Sequence, residues 1–158
     1  METFVQVLID GLLAGMVYAL VAAGLCLIWG VMDVINFAHG EFLMIGMYVS
    51  YWLGFLANVD PVLSVVASAA FVFILGAVTY KLLIRHTIGK AGLVALLATF
   101  GLAMVLKNFC MNRFSPNFLI LSNTWLGDKT FQIGGLIFPV PQLAAAALSL
   151  IVVILVYA

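Results

Sequence analysis

Five hydrophobic runs alternate with polar segments along the chain. They cover residues 4–28, 42–56, 62–84, 91–106 and 140–158. A helix needs ~20 mostly apolar residues to cross the hydrocarbon core of a bilayer. The pattern therefore predicts an all-α, polytopic transmembrane helical bundle with about five spans. The fourth run is short, which favours a tilted, broken or partly re-entrant span.

The polar segment after the first run is the most unusual part of the sequence. Residues 30–41 contain no Lys or Arg, but they include Asp33, Asn36, His39 and Glu41. An ionisable group near lipid costs at least ~2.5–3.5 kcal/mol on insertion scales, so such groups normally face a protein interior or a water-filled cavity. One interpretation is that they line a solute path or brace a broken helix beside it, with Gly40 allowing the backbone to bend. The other is a short hydrated loop, and the spacing alone does not decide between them.

Three further residues are candidates for a role inside the spans. Thr99 lies in a hydrophobic run next to Gly101, which could be a second place where a helix opens beside a path. The simpler interpretation is that its hydroxyl bonds back to its own helix. Gly11 and Gly15 form a Gly-x-x-x-Gly step that would let another helix approach closely, although the chain has 14 glycines and the spacing can arise by chance.

Basic residues give the expected orientation. Lys81, Arg85 and Lys90 lie within about ten residues, in and beside the short loop between the third and fourth runs. Short loops rich in Lys and Arg remain in the cytoplasm. We therefore expect the N-terminus outside, and the segment 33–41 on the cytoplasmic side or in a membrane break near it.

Composition excludes the common soluble classes. Hydrophobic residues make up 66% of the chain and charged residues 8%, and the mean hydropathy is +1.30, whereas soluble domains carry roughly 25% charged residues. The net charge is zero, so no basic surface indicates nucleic acid. The chain has neither a nucleotide-binding Gly-x-x-x-x-Gly-Lys-Ser/Thr loop nor a Gly-x-Ser-x-Gly elbow. We therefore expect no enzyme activity and no cofactor, and any ATPase must be a separate polypeptide.

Glycines and a few polar groups that interrupt apolar spans are typical of transporter cores. A proton-coupled secondary transporter or a channel is a second interpretation, in which His39 and Glu41 carry protons, because histidine titrates near neutral pH. A metal site is not expected, since no cysteine or second histidine lies near His39. A third possibility is a purely structural membrane subunit.

The segment 24–41, GLCLIWGVMDVINFAHGE, resembles the signature of the LivH-type permease of bacterial branched-chain amino-acid ABC transporters. Its most specific part is the run Asn-Phe-Ala-His-Gly-Glu at 36–41. The run 96–102 looks like the fourth span of that family. The basic loop around Arg85 lies where the family has one, although it is sparser than the family's arginine-rich version. The resemblance covers essentially all 158 residues.

The resemblance implies a function and a set of partners. The chain would pair with a second permease subunit and two cytoplasmic ABC ATPases in the bacterial cytoplasmic (inner) membrane. A periplasmic or lipid-anchored binding protein would deliver leucine, isoleucine or valine, and transport would proceed by alternating access. Permeases of this type are nearly twice as long, with the coupling loop after the fifth span, so 1–158 is expected to be the truncated N-terminal part of a permease domain. Related permeases that move urea, short amides or sugars leave the substrate open.

Overall fold

The computed structural model describes residues 2–114, 119, 127, 129–133 and 135–157. Each of its five long helices is long and apolar enough to cross a membrane, which confirms the predicted helical membrane bundle. The helices are α1 (Glu2–Met32), α2 (His39–Ala57), α3 (Pro61–Leu82), α4 (Gly92–Phe114) and α5 (Val140–Tyr157). A short 3-10 helix at Ile84–His86 follows α3, and an antiparallel hairpin of β1 (Thr130–Ile133) and β2 (Leu136–Pro139) precedes α5.

The chain divides into two compact units. The first contains Met1–Leu27 and Ser122–Ala158, and the second contains Ile28–Leu121. The first unit therefore holds most of α1, the hairpin and α5. The second holds the end of α1, the polar segment and helices α2, α3 and α4. All the candidate residues except Gly11 and Gly15 belong to the second unit.

The fourth span differs from the expectation. It is one continuous helix of 23 residues, about 34 Å long at 1.5 Å per residue, so the prediction of a short or broken span is wrong. The helix continues through Lys107 and Arg113, where the sequence indicated a polar connection. Both side chains are exposed, and Arg113 in the last turn carries a charge that the carbonyl end of a helix favours. Much of the connection, 115–128, lies outside the described residues, as does Ala158.

The turn between α2 and α3 is short because the sequence signals both helix ends. Asn58 takes the left-handed conformation after α2, with φ of 50°, which an asparagine tolerates better than most residues. The Asp60 carboxylate accepts a hydrogen bond of 2.9 Å from the Val62 N–H, and Pro61 occupies the first position of α3. These are the preferred residues for a helix start, so α3 begins only four residues after the end of α2.

Hydroxyl groups and a glycine hold α2 against α3. The buried Ser64 hydroxyl donates to the Pro61 carbonyl at 2.8 Å, so Ser50 donates in the hydrogen bond that joins the two serine hydroxyls. At Gly46 a Cβ atom would lie 3.4 Å from a Val72 methyl group. Lipid provides no hydrophobic force between helices, so small residues and hydroxyl pairs of this kind hold membrane helices together.

In the first unit, Gln6 of α1 pairs with the hairpin. Its side-chain nitrogen donates to the Ile137 carbonyl at 2.7 Å, and its oxygen accepts from the Ile137 N–H at 2.9 Å. The same nitrogen lies 3.2 Å from both carboxylate oxygens of Asp10. These two backbone groups of Ile137 lie on the edge of β2. The Gln6 side chain therefore provides hydrogen-bond partners that water would otherwise have to supply.

The serine pair can be tested by Ser64→Ala. We expect the substitution to lower the free energy of unfolding in detergent by about 1 kcal/mol, in the range measured for hydrogen bonds between membrane helices. Ser68→Ala is the matched control, because that hydroxyl bonds only to carbonyls of its own helix. Equal destabilisation by both substitutions would contradict the proposed contribution of the pair.

Candidate functional site

The polar segment interrupts the helices between α1 and α2. Asp33 has φ of 51°, and its N–H donates to the Trp29 carbonyl at 2.8 Å, which closes the last turn of α1. A left-handed conformation costs roughly 1–2 kcal/mol for most residues, and aspartate is among the few that adopt it. The chain therefore bends at Asp33. The expectation that Gly40 provides the bend is wrong, since Gly40 is already the second residue of α2.

Between the two helices, residues 33–36 form neither helix nor strand and residues 37–38 form a turn, and the side chains of 33–38 alternate between two sides. Val34, Asn36 and Ala38 are buried, whereas Asp33, Ile35 and Phe37 are exposed. This alternation differs from the period of 3.6 residues in a helix. Backbone outside a helix lacks the helical hydrogen bonds, so in a membrane the N–H and C=O groups that have no local partner need one from a neighbouring element.

The buried side of the segment packs against the neighbouring elements at two levels. Val34 contacts Ile84, which follows α3, and Ala95 near the start of α4. Ala38 is completely buried and forms a cluster with Phe42 and Ala103. Ala103 lies eleven residues after the start of α4, about 16 Å along that helix. The segment therefore runs from the level of the basic loop to about the middle of the fourth span.

Thr99 of α4 supplies the missing backbone partners. Its hydroxyl oxygen accepts a hydrogen bond of 3.2 Å from the Phe37 N–H. The hydroxyl proton is shared between the Leu96 carbonyl of its own helix, at 3.1 Å, and the Ile35 carbonyl at 3.3 Å. The predicted bond back to its own helix is present, and the same group also joins α4 to the interruption. The side chain itself is 1% exposed.

Asn36 prepares the start of α2. Its side-chain oxygen accepts from the Ala38 N–H at 3.0 Å, and its carbonyl accepts from the His39 N–H at 3.2 Å. An asparagine that bonds to backbone two residues ahead forms a local turn. Asn36 therefore directs the chain from the non-helical segment into helix, although it is buried and lies before the helix itself.

His39, Gly40 and Glu41 form the first turn of α2. The side chains of His39 and Glu41 are half-buried, and Gly40 is exposed. On this helix His39 and Glu41 point about 200° apart, so the structure does not bring them onto one face. The Glu41 carboxylate lies where the amide end of a helix favours negative charge. Among the described residues, no group of three or more His, Cys, Asp or Glu side chains is placed to hold a metal ion.

A cavity of about 350 Å³ adjoins the interruption. Its polar lining includes two buried side chains, Asn36 and Thr79. A larger cavity of about 500 Å³ lies among α2, α3 and α4 and is bordered almost wholly by apolar groups. It includes Trp52, whose buried indole nitrogen has no hydrogen-bond partner within the described part of the chain. The smaller cavity is the one that combines the interruption with polar groups.

Sequence reasoning missed Thr79 and the cavity. The available signal was weak: a threonine hydroxyl in an apolar run, three residues after Gly76. Gly11 and Gly15, by contrast, are exposed, and a Cβ atom built at either meets no atom of the described residues within 4 Å, its own helix backbone apart. Their packing role stays a prediction.

Comparison with known proteins shows which protein family the sequence matches. Residues 7–158 match the family described as "Branched-chain amino acid transport system / permease component". The permease protein BraD of the high-affinity branched-chain amino acid transport system of Pseudomonas aeruginosa is 33% identical over 116 residues, which is 68% of this chain and 38% of that protein. The corresponding LivH proteins of Salmonella typhimurium and Escherichia coli are each 32% identical, over 67% of this chain and 37% of theirs. The chain thus spans little more than a third of the length of these relatives. No solved structure gives a significant match.

The bridging hydroxyl can be tested by Thr99→Val and Thr99→Ser. Valine keeps the shape but removes the acceptor of the part-buried hydrogen bond from the Phe37 N–H, which costs about 1 kcal/mol. We expect Thr99→Val to lower the thermal unfolding temperature and to speed hydrogen exchange at the Phe37 amide. Thr99→Ser keeps the hydroxyl and should restore slow exchange at that amide. Unchanged exchange in the valine variant would show that the hydroxyl does not hold the interruption.

Proposed function

The chain belongs to the family of permease components of branched-chain amino acid transport systems, and from this premise we propose that it forms the N-terminal part of a permease domain that moves branched-chain amino acids inward. The family is one of transport components rather than enzymes. The single observation that carries the proposal is the interruption between α1 and α2, which brings polar groups to about the middle of α4. The run 36–41, which resembles the permease signature, covers the end of this interruption and the first turn of α2.

An interrupted helix suits a solute path for electrostatic reasons. The first turn of a helix leaves N–H groups without intrahelical partners and carries a partial positive charge. When that turn lies within the membrane, it can meet the anionic group of a solute, as in other transporter cores. Here the first turn of α2 contains His39, Gly40 and Glu41, and the Thr99 hydroxyl holds the non-helical backbone that leads to it.

The partners and the orientation follow from the same premise. We propose that the chain lies in the bacterial cytoplasmic membrane with a second permease subunit, two ABC ATPase subunits and a periplasmic or lipid-anchored binding protein. The basic loop would face the cytoplasm, and the packing of Val34 against Ile84 puts the start of the interruption at the same end of the second unit as that loop. Energy would come from ATP bound to the separate subunits.

One observation keeps a second function in view. His39 and Glu41 are ionisable groups, half-buried in one helical turn inside the second unit. A proton-coupled carrier or a channel could use such groups, because histidine changes charge near neutral pH.

Urea, short amides or sugars are the alternative substrates for an ABC permease of this kind.

The decisive experiment is uptake of labelled leucine by proteoliposomes. They would contain this permease, its partner permease, the ATPases and the binding protein, with and without internal ATP. Uptake that needs ATP and is blocked by valine, but not by urea or ribose, is the expected result. Uptake that ignores ATP and follows an imposed proton gradient would replace this proposal with the proton-coupled one.

We also predict that the first turn of α2 serves the path. In the assembled transporter, His39→Ala and Glu41→Ala should each reduce the rate of leucine uptake at least about tenfold, which corresponds to 1.4 kcal/mol in the barrier. Leu63→Met, on an exposed position of α3, is the control and should retain near-normal uptake. If all three variants took up leucine at the same rate, His39 and Glu41 would not contribute to the proposed path.

A further inference from the structure

We propose that the 350 Å³ cavity beside the interruption holds the aliphatic side chain of the transported amino acid, and that Asn36 hydrogen-bonds the polar end of the same molecule. This inference rests on the proposed function, which it deepens by naming the place where substrate is selected. The cavity lies within the second unit, between the end of α1, the interruption and α3.

The walls of the cavity suit an apolar side chain. Phe42, Phe73 and Ile84 are among the apolar residues that line it, and the volume is at the small end of ligand pockets. Burying apolar groups against such walls stabilises by ~0.8 kcal/mol for each CH₂. A branched aliphatic side chain therefore gains more here than a side chain of one carbon.

The residues that line the cavity also limit which amino-acid side chains it can hold. None of the ten described residues that border the cavity is charged. A cationic or anionic side chain would lose its water there without gaining an opposite charge, which is strongly unfavourable. The cavity therefore favours a neutral side chain over that of lysine or glutamate.

Asn36 provides the polar contact. Its side chain is 6% exposed, and its oxygen is engaged by the Ala38 N–H. The NH₂ group of the same carboxamide carries two donors, and these suit the carboxylate of an amino acid. The position of Asn36 at the edge of an otherwise mainly apolar cavity fits a molecule with one polar end and one apolar end.

The shape of α3 decides how much room the side chain has. Gly76 and Ala77 both line the cavity, and a Cβ atom built at Gly76 meets no atom within 4 Å. Small residues at these two positions therefore leave space that a larger side chain would fill. This makes the cavity adjustable by substitution without forcing the backbone to move.

The test is Ala77→Leu in the assembled transporter, with kcat/KM for uptake measured separately for leucine and valine. The larger side chain at this position should lower kcat/KM for leucine more than kcat/KM for valine. We expect the preference for leucine over valine to fall about fourfold or more, the equivalent of the ~0.8 kcal/mol of one buried CH₂. Ala67→Leu is the matched control: it makes the same change at an exposed position of α3 that borders neither cavity, and the preference should stay unchanged.

The outcomes separate this inference from the proposed function. An equal loss of leucine and valine uptake in Ala77→Leu, or the same change of preference in Ala67→Leu, would overturn the cavity as the selecting site while the unsubstituted transporter still imports leucine with ATP. Absence of ATP-dependent, valine-sensitive uptake by the unsubstituted transporter would overturn the proposed function instead. If Ala77→Leu does not assemble, Gly76→Ala decides, since it adds one methyl group in open space. A smaller fall in preference is then expected, and an unchanged preference would overturn the inference.

Discussion

The structure of the second unit depends on how the non-helical backbone between α1 and α2 obtains its hydrogen bonds. Residues 33–38 leave the helical hydrogen-bonding pattern, and lipid offers no water to replace it. The Thr99 hydroxyl accepts from the Phe37 N–H and shares its proton with the Ile35 carbonyl. One side chain thus supplies both an acceptor and a donor to the interruption. Without it, the Phe37 N–H and the Ile35 carbonyl would each lose a hydrogen-bond partner from α4.

The consequence of that contact is a helix whose first turn lies beside the middle of another span. The packing of Ala38 and Phe42 against Ala103 fixes the depth, and Asn36 turns the chain into α2. Polar groups are brought to the interior, and a cavity opens between the interruption and α3. The proposed function of this unit therefore depends on a local interruption of helical structure, which the surrounding packing maintains.

Helix association elsewhere in this unit follows a different physical rule. The Ser50 and Ser64 hydroxyls and Gly46 bring α2 and α3 together through close approach and hydrogen bonding rather than through apolar burial. Most large apolar side chains on these helices are exposed, because lipid solvates them as well as another helix would. The buried positions are instead small or polar, among them Ser64, Thr79, Ala95 and Thr99.

The sequence by itself determined the membrane class, the number of spans, the short turn at 58–61 and the family resemblance of 36–41. These properties depend on local hydropathy, turn chemistry and residue identity, which a linear pattern carries. It also singled out the polar run, but it attributed the bend to Gly40, because glycine is the usual residue for an unusual backbone conformation. The length of α4 was underestimated, since Lys107 and Arg113 resemble a span end although a helix accommodates both.

Only the tertiary structure decided what the polar run does in the fold. Thr99 lies 62 residues from Phe37. No sequence spacing predicts the hydrogen bond between the Phe37 N–H and the Thr99 hydroxyl. The cavity likewise combines Asn36 with Thr79 and Ile84 of more distant segments. Contacts of this kind depend on helix packing and relative depth, which are set by many weak interactions at once, and a single sequence records none of them directly.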